Sequence, residues 1–181
     1  EQYRTPPLLA ADLLFRAQAL GDIVGRRVLD LGCGTGMFTL GAALLGASEA
    51  TGVDVDAGAL QAARQAAEAL KAPARFEEAD VARAGPWTAD TVIQNPPFGA
   101  QVKGADRPFL AAALKAAPVV YSLHLTDTGE FVIEYARKLG AELTHAWDYE
   151  FPIRHQFKFH TKAVKHVPVT AFRFTRSAAL S

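Results

Sequence analysis

Ten residues, Asp90-Thr-Val-Ile-Gln-Asn-Pro-Pro-Phe-Gly99, join a short apolar run to an abrupt polar and aromatic stop. Thr91, Val92 and Ile93 suit a strand buried on both faces, whereas Pro96 and Pro97 lack the N–H donors and the free φ that a ladder needs. The strand is therefore expected to end at Asn95. A rigid turn would then hold an amide side chain, a backbone carbonyl with no donor beside it, and the exposed ring of Phe98 at the strand's carboxyl end. Two acceptors beside an aromatic plane suit a planar amine. If the Asn95 side-chain oxygen and the Pro96 carbonyl each accept one N–H, the nitrogen is drawn toward tetrahedral geometry and its lone pair aims away from the turn. Positive charge growing on that nitrogen is stabilised by the same two dipoles, and Phe98 would stack on the ring that carries the amine. This is the chemistry of alkylating a conjugated amine, and it requires a methyl donor bound nearby. Without one, the same residues are only a loop stiffened by proline.

A donor site is expected where a first buried strand, Arg27 to Leu31, runs into Gly32-Cys33-Gly34-Thr35-Gly36 before an apolar helix from Met37 to Leu45. Glycine permits close approach of the backbone to a ligand. The Gly-x-Gly-x-Gly spacing differs from the Gly-x-Gly-x-x-Gly of dinucleotide dehydrogenases, so the turn is not obviously shaped for a pyrophosphate. A second strand, Ala50 to Asp54, ends in an acid 24 residues after Asp30. A carboxylate at that tip is where a doubly wound sheet grips ribose hydroxyls. A short third strand, Arg75 to Glu78, leads to Asp80 and Val81, which could hold and cover an adenine. Alternatively, Asp80 caps the turn before Ala82.

The remaining elements form a frame for these residues. Thr5 followed by Pro6 reads as an N-cap for a helix from about Pro7 to Leu20, ended by Gly21. Helices are expected over Asp56 to Lys71, Arg107 to Ala117 and Thr128 to Leu139, with Gly140 as a C-cap. Gly99 to Asp106, which contains Lys103, reads as a mobile polar loop beside the turn. Val119 to Leu123 is a fifth buried strand, and the alternating runs Ala141 to Phe151 and Val167 to Thr175 suit an antiparallel pair at one edge. Strands separated by helices and closed by a hairpin describe a Rossmann-like α/β fold, a mostly parallel seven-stranded sheet with one antiparallel strand in a C-terminal hairpin. The expected organisation is one domain over residues 1–181, with a cap segment and helix in 1–26 and the sheet and helices in 27–176.

Composition bounds the partners. The chain has 181 residues, half of them hydrophobic and 21% charged, and no apolar run near the ~18 residues that span a bilayer. A soluble protein is implied, with no membrane partner. Net charge is zero, so a nucleic acid would have to be met by a local basic patch. The one concentrated basic stretch runs from Arg154 to His166, with four fixed positive charges, three of the chain's five histidines, two phenylalanines and no acid. Arg154, Phe157, Lys158, Phe159, His160, Lys162 and Lys165 alternate cations with aromatics, the combination that tracks phosphates while stacking unpaired bases. The plainer alternative is a solvated hairpin. A lone cysteine, Cys33, excludes an internal disulfide and a Cys-based zinc site. A reducing compartment is expected, with the cytoplasm as the default.

Seven segments carry a closer resemblance. They are Gln2-Tyr3-x-Thr5-Pro6, Asp30-Leu31-Gly32-Cys33-Gly34-x-Gly36, Asp54-x-Asp56, Asp80-Val81, Asn95-Pro96-Pro97-Phe98-Gly99, Val120-Tyr121-Ser122-Leu123-His124 and Lys158-Phe159-His160. In order and spacing they resemble the small-subunit rRNA adenine N6-methyltransferases called methyltransferase-like protein five and their archaeal relatives, across nearly the whole chain. The resemblance implies a class I methyltransferase that uses S-adenosyl-L-methionine, no metal and no dedicated general base. Gln2, Tyr3 and Thr5 would close over the cofactor. Its methionine part would lie along Gly32, Thr35 and the loop backbone of Cys33, Gly34 and Gly36, with Asp30 also at the cofactor, its ribose at Asp54, and its adenine at Asp80 and Val81. Asn95, Pro96, Pro97 and Phe98 would receive the target amine. Thr35 stands where the family often has cysteine or another small residue, a departure expected to be tolerated. RNA, and rRNA above all, is the implied partner, and some members act with a small zinc-binding activator subunit. Guanine N2, DNA adenine, protein glutamine and a non-catalytic scaffold remain the competing readings.

Overall fold

The computed structural model describes residues 4–83, 85–98, 104–154 and 164–176. In chain order the elements are α1 (Pro7–Ala19), β1 (Arg27–Leu31), α2 (Met37–Leu44), β2 (Glu49–Asp54), α3 (Ala57–Leu70), β3 (Ala74–Glu78), β4 (Thr91–Gln94), α4 (Arg107–Ala116), β5 (Val119–Leu125), α5 (Gly129–Lys138), β6 (Glu142–Arg154) and β7 (Val164–Thr175). They build one sheet in the order β3-β2-β1-β4-β5-β7-β6. The first five strands run parallel, and β7 is antiparallel to both β5 and β6. This is the expected fold class.

Alternation along the strands divides the core in two. Ile93, Tyr121 and Leu123 face a layer of buried side chains from α1 and α2, including Leu13, Leu14 and Phe38. Val92 and Val120 face the opposite layer, where Leu110 and Leu114 of α4 and Val132 and Ala136 of α5 pack. Every residue of β4 is buried, as expected for a strand covered on both faces. Asp90 sits at its amino end, bound by the Arg27 backbone N–H at 2.8 Å and guanidinium at 2.9 Å, far along the strand from Asn95.

Local chemistry explains most boundaries. Asp56 caps α3 by accepting from the N–H groups of Gly58 and Ala59 at 2.9 and 3.0 Å. Gly140, with a φ of 81°, closes α5. Three expectations change. β4 ends at Gln94, one residue before Asn95, because Pro96 and Pro97 leave Asn95 no ladder to join. Thr5 does not cap α1: Pro6 takes that position without a side-chain hydrogen bond, and the Thr5 hydroxyl is used elsewhere. The terminal hairpin is longer than the alternating runs suggested. Its ladder continues beyond the β5 pair Leu125 and Val169 to Arg154 and Val164, with Lys165 opposite Ile153. The hairpin therefore extends past the carboxyl end of β5, on the side of the sheet where β4 delivers Asn95. Gln2, Tyr3, Lys103, Phe157, Lys158, Phe159, His160 and Lys162 lie outside the described residues.

Candidate active site

The five parallel strands present their carboxyl ends to one side. Strand order changes direction between β1 and β4, with β2 and β3 on one flank and β5 on the other, and such a switch point leaves a crevice outside the strand ends. The glycine loop fills its β1 side. The backbone N–H groups of Gly32 and Cys33 both donate to the Val53 carbonyl of β2, at 2.8 and 3.0 Å, so the loop is pinned to the neighbouring strand. Gly32 and Gly36 have φ values of 74° and 83°, conformations that disfavour any side chain. A Cβ on Gly32 would lie 2.9 Å from the Phe109 ring of α4, and one on Gly36 would lie 2.9 Å from the Phe76 ring of β3. Phe109 and Phe76 thus buttress the loop, a role no sequence spacing announced. Thr35 is half-buried at the loop's crest.

Two loop-associated residues turn inward. Cys33 is 8% exposed, and its Sγ would meet a Cβ on Gly52 of β2 at 2.8 Å. Burial, with Asp30 and Asp54 nearby, pushes its thiol well above the ordinary range, so it behaves as an inert packing group. Asp30 accepts from the Thr39 hydroxyl at 2.9 Å and the Thr39 N–H at 3.2 Å, tying β1 to the first turns of α2. Its carboxyl therefore sets the loop's shape from below. Burial raises its pKa to about 7, and the two Thr39 hydrogen bonds only partly oppose this.

The sign of the stability effect follows. A carboxyl whose folded pKa is raised favours the folded state below its ordinary value of 3.8 and loses that contribution as pH climbs through about 7. The full gap corresponds to on the order of 4 kcal/mol. The melting temperature of the parent should therefore fall between pH 5 and pH 8 relative to Asp30→Asn, which carries no titrating proton. Parallel melting curves for the two proteins across that range would refute the assignment.

On the β2 side, Asp54 is 1% exposed and its carboxylate accepts from the N–H groups of Gly34 at 2.8 Å and Asp56 at 3.0 Å. It is the hub that joins the glycine loop, the β2 tip and the start of α3. Beyond β3, Asp80 accepts from the Ala82 N–H at 2.9 Å and lies 3.4 Å from Arg83, which is the turn-capping arrangement. Val81 is buried in the core cluster that also holds Leu29, Leu31 and Val53. The structure therefore gathers Asp30, the Gly32 to Gly36 loop, Asp54, Asp80 and Val81 around the strand ends, although Asp30 and Cys33 point beneath the loop and not across it.

The Asn-Pro-Pro-Phe turn forms the other wall. Asn95 is half-buried, and its side-chain Nδ2 donates to the Thr5 hydroxyl at 3.1 Å. An amide held by its nitrogen has its oxygen directed to the opposite side. Pro96 is buried and Pro97 half-buried. Phe98 is not the exposed ring expected. It is half-buried and meets the fully buried Phe151 of β6 edge to face, with centroids 5.3 Å apart at 85°. The long hairpin that places Phe151 here thus also fixes the aromatic wall.

Residues 10–166 match the family model described as the methyltransferase small domain. The chain belongs to that family. The zebrafish rRNA N(6)-adenosine-methyltransferase METTL5 is 37% identical over 97% of this chain and 88% of its own. The fruit-fly rRNA N(6)-adenosine-methyltransferase Mettl5 is 36% identical over 96% and 85%. The crystal structure of PH1948 from Pyrococcus horikoshii, a candidate RNA methyltransferase, superposes with a TM-score of 0.90 at 40% identity, covering 98% of this chain and 88% of that one. The cofactor of this small-domain methyltransferase is S-adenosyl-L-methionine, and the residues present suit it. The glycine loop lies at the carboxyl end of β1, and carboxylates stand at the tip of β2 and just beyond β3. Among the described residues no helix is long and apolar enough to cross a membrane.

Proposed function

We propose that this protein transfers a methyl group to N6 of an adenosine in structured RNA, with small-subunit rRNA as the natural substrate. The observation that carries this reading is the oriented amide of Asn95 at the carboxyl end of β4, beside the glycine loop of β1. Two relatives similar over nearly the whole chain are named rRNA N(6)-adenosine-methyltransferases, which supports adenosine over the other planar amines. S-adenosyl-L-methionine supplies an electrophilic methyl group when bound. Gly32, Thr35 and the loop backbone would hold its methionine part, Asp54 its ribose, and Asp80 with Val81 its adenine.

Thr5 fixes the Asn95 amide nitrogen, so the amide oxygen and the Pro96 carbonyl would accept the two N–H bonds of the target amine. That pairing localises its lone pair and stabilises the positive charge that grows as the new N–C bond forms. The resulting aryl ammonium is acidic, and its proton passes to water without a dedicated base. Phe98, backed by Phe151, would stack on the adenine. The hairpin beyond β5 would carry the basic segment, with Arg154, Lys158, Lys162 and Lys165 on phosphates and Phe157, Phe159 and His160 against unpaired bases, and Lys103 would also bind the RNA. The reading includes a single methyltransferase domain over residues 1–181 and a cytoplasmic enzyme. It also includes a small zinc-binding activator subunit, for which β3 and β6 offer the two edges of the sheet.

The test is mass spectrometry of nucleosides from rRNA treated with the protein and labelled cofactor. Label in N6-methyladenosine is expected. Label in N2-methylguanosine, in DNA or in protein glutamine would replace the substrate, and no transfer to any of them would leave a scaffold. A second measurement examines Thr5. If it orients Asn95, Thr5→Val should lower kcat about tenfold and shift the Kd for S-adenosylhomocysteine less than threefold. The reverse pattern would assign Thr5 to the cofactor alone.

A further inference from the structure

Behind the Asn-Pro-Pro-Phe turn, on the α4 and α5 face of the sheet, runs a buried chain of polar side chains. Gln94 Nε2 donates to Ser122 Oγ at 3.0 Å, Ser122 Oγ lies 2.8 Å from His124 Nε2, and His124 Nδ1 lies 3.0 Å from the Asp106 carboxylate. Gln94 and Ser122 are fully buried, His124 is 2% exposed, and the Asp106 side chain is 16% exposed. The hydrogen bonds have one consistent direction. Because Gln94 donates to Ser122, the Ser122 hydroxyl can donate on to His124 Nε2, and the His124 Nδ1–H then donates to the Asp106 carboxylate. Burial, the largest single influence, would raise the Asp106 carboxyl, but the hydrogen bond from His124 together with further hydrogen-bond and charge contributions, Arg107 among them, outweighs it and holds the group below the usual carboxylate range.

The placement of these residues along the chain gives the network its meaning. Gln94 is the last residue of β4, immediately before Asn95, and Asp106 immediately precedes α4. Ser122 and His124 are both on β5, which pairs with β4 at Gln94 and Ser122. Both ends of the segment from Asn95 to Asp106 are thereby fastened to one rigid strand through two side chains. A core cluster present only for stability has no need to join the residue before Asn95 to the residue before α4.

We propose that Ser122, His124 and Asp106 are positioning residues for methyl transfer, clamping the ends of the Asn95 to Asp106 segment to β5 so that the Asn95 amide and the Pro96 carbonyl keep their aim. The inference rests on the functional reading above. None of the three residues touches the reacting atoms. They act through Gln94 and through the start of α4, so breaking the chain at any link should release the same constraint.

The test compares Ser122→Ala, Asp106→Ala and the double variant with the parent. Each single variant should lower kcat about tenfold, with KM for RNA and Kd for S-adenosylhomocysteine within about twofold. The double variant should lose no more than the slower single one, because a chain cut once is already cut. Asp106→Asn, which keeps an acceptor for His124 and is the least disruptive to folding, should recover most of the rate. Unchanged kcat, multiplying losses, or a matching loss of cofactor binding would each overturn the proposal. Amide hydrogen exchange provides a readout independent of transfer. Asp106→Ala should speed exchange at Asn95 and Phe98 while leaving β1 and β2 protected, and unaltered exchange there would overturn the clamp. A parent that methylates no RNA would refute the functional reading and still leave this exchange result to decide the clamp.

Discussion

Asn95→Ala is expected to lower kcat by roughly a hundredfold or more, the scale for losing one preorganised partner of a transition state, while cofactor affinity stays within about twofold. Asn95 emerges from β4 one residue after the ladder ends, and Thr5 holds its amide nitrogen from a point 90 residues earlier in the chain. Alanine would remove the acceptor for the amine and also leave Thr5 without this donor. Asn95→Asp keeps an acceptor of the same size and should retain more activity than Asn95→Ala. Single-turnover methylation of RNA, paired with calorimetric titration of S-adenosylhomocysteine, separates the chemical step from binding. Turnover of Asn95→Ala within a factor of two of the parent would sink the mechanism.

Asp54→Ala should act on binding. Loss of a buried carboxylate that accepts charge-assisted hydrogen bonds is expected to cost about 1.5 to 3 kcal/mol of cofactor affinity, roughly ten- to a hundredfold in Kd. The structure adds a second cause. The same carboxylate accepts from Gly34 and Asp56, so alanine would also loosen the glycine loop from the tip of β2. Asp54→Asn keeps one side-chain acceptor and should fall between the parent and Asp54→Ala. An unchanged Kd in calorimetry would remove Asp54 from the cofactor site. A melting temperature lowered with no change in Kd would restrict it to holding the loop.

Much of the fold was legible in local pattern. Short runs of three to five residues between helices specify the parallel strands, the central ones apolar and covered on both faces, and the two alternating runs at the end specify an antiparallel pair. Pro96 and Pro97 place the end of β4 to within one residue, since neither can donate to a ladder. Gly32 to Gly36 and Asp54 likewise mark strand ends, because a tight turn and a terminal acid are visible in residue types alone.

The neighbours of those residues were settled by packing. Threonine before proline reads as a helix cap, yet Thr5 meets Asn95, and only the folded chain brings those two positions within hydrogen-bond distance. Cys33 and Asp30 sit within a cofactor-loop motif, but the turn of the loop sends one toward Gly52 and the other toward Thr39. Phe98 reads as an exposed ring until the pairing of β6 with β7 brings Phe151, the last residue of its alternating run, against it. Phe109 on the glycine loop, and the chain from Gln94 to Asp106, join elements that follow no common period. A side chain's face is written in the spacing of its own strand or helix, whereas its partner across that face depends on which elements the sheet order makes adjacent.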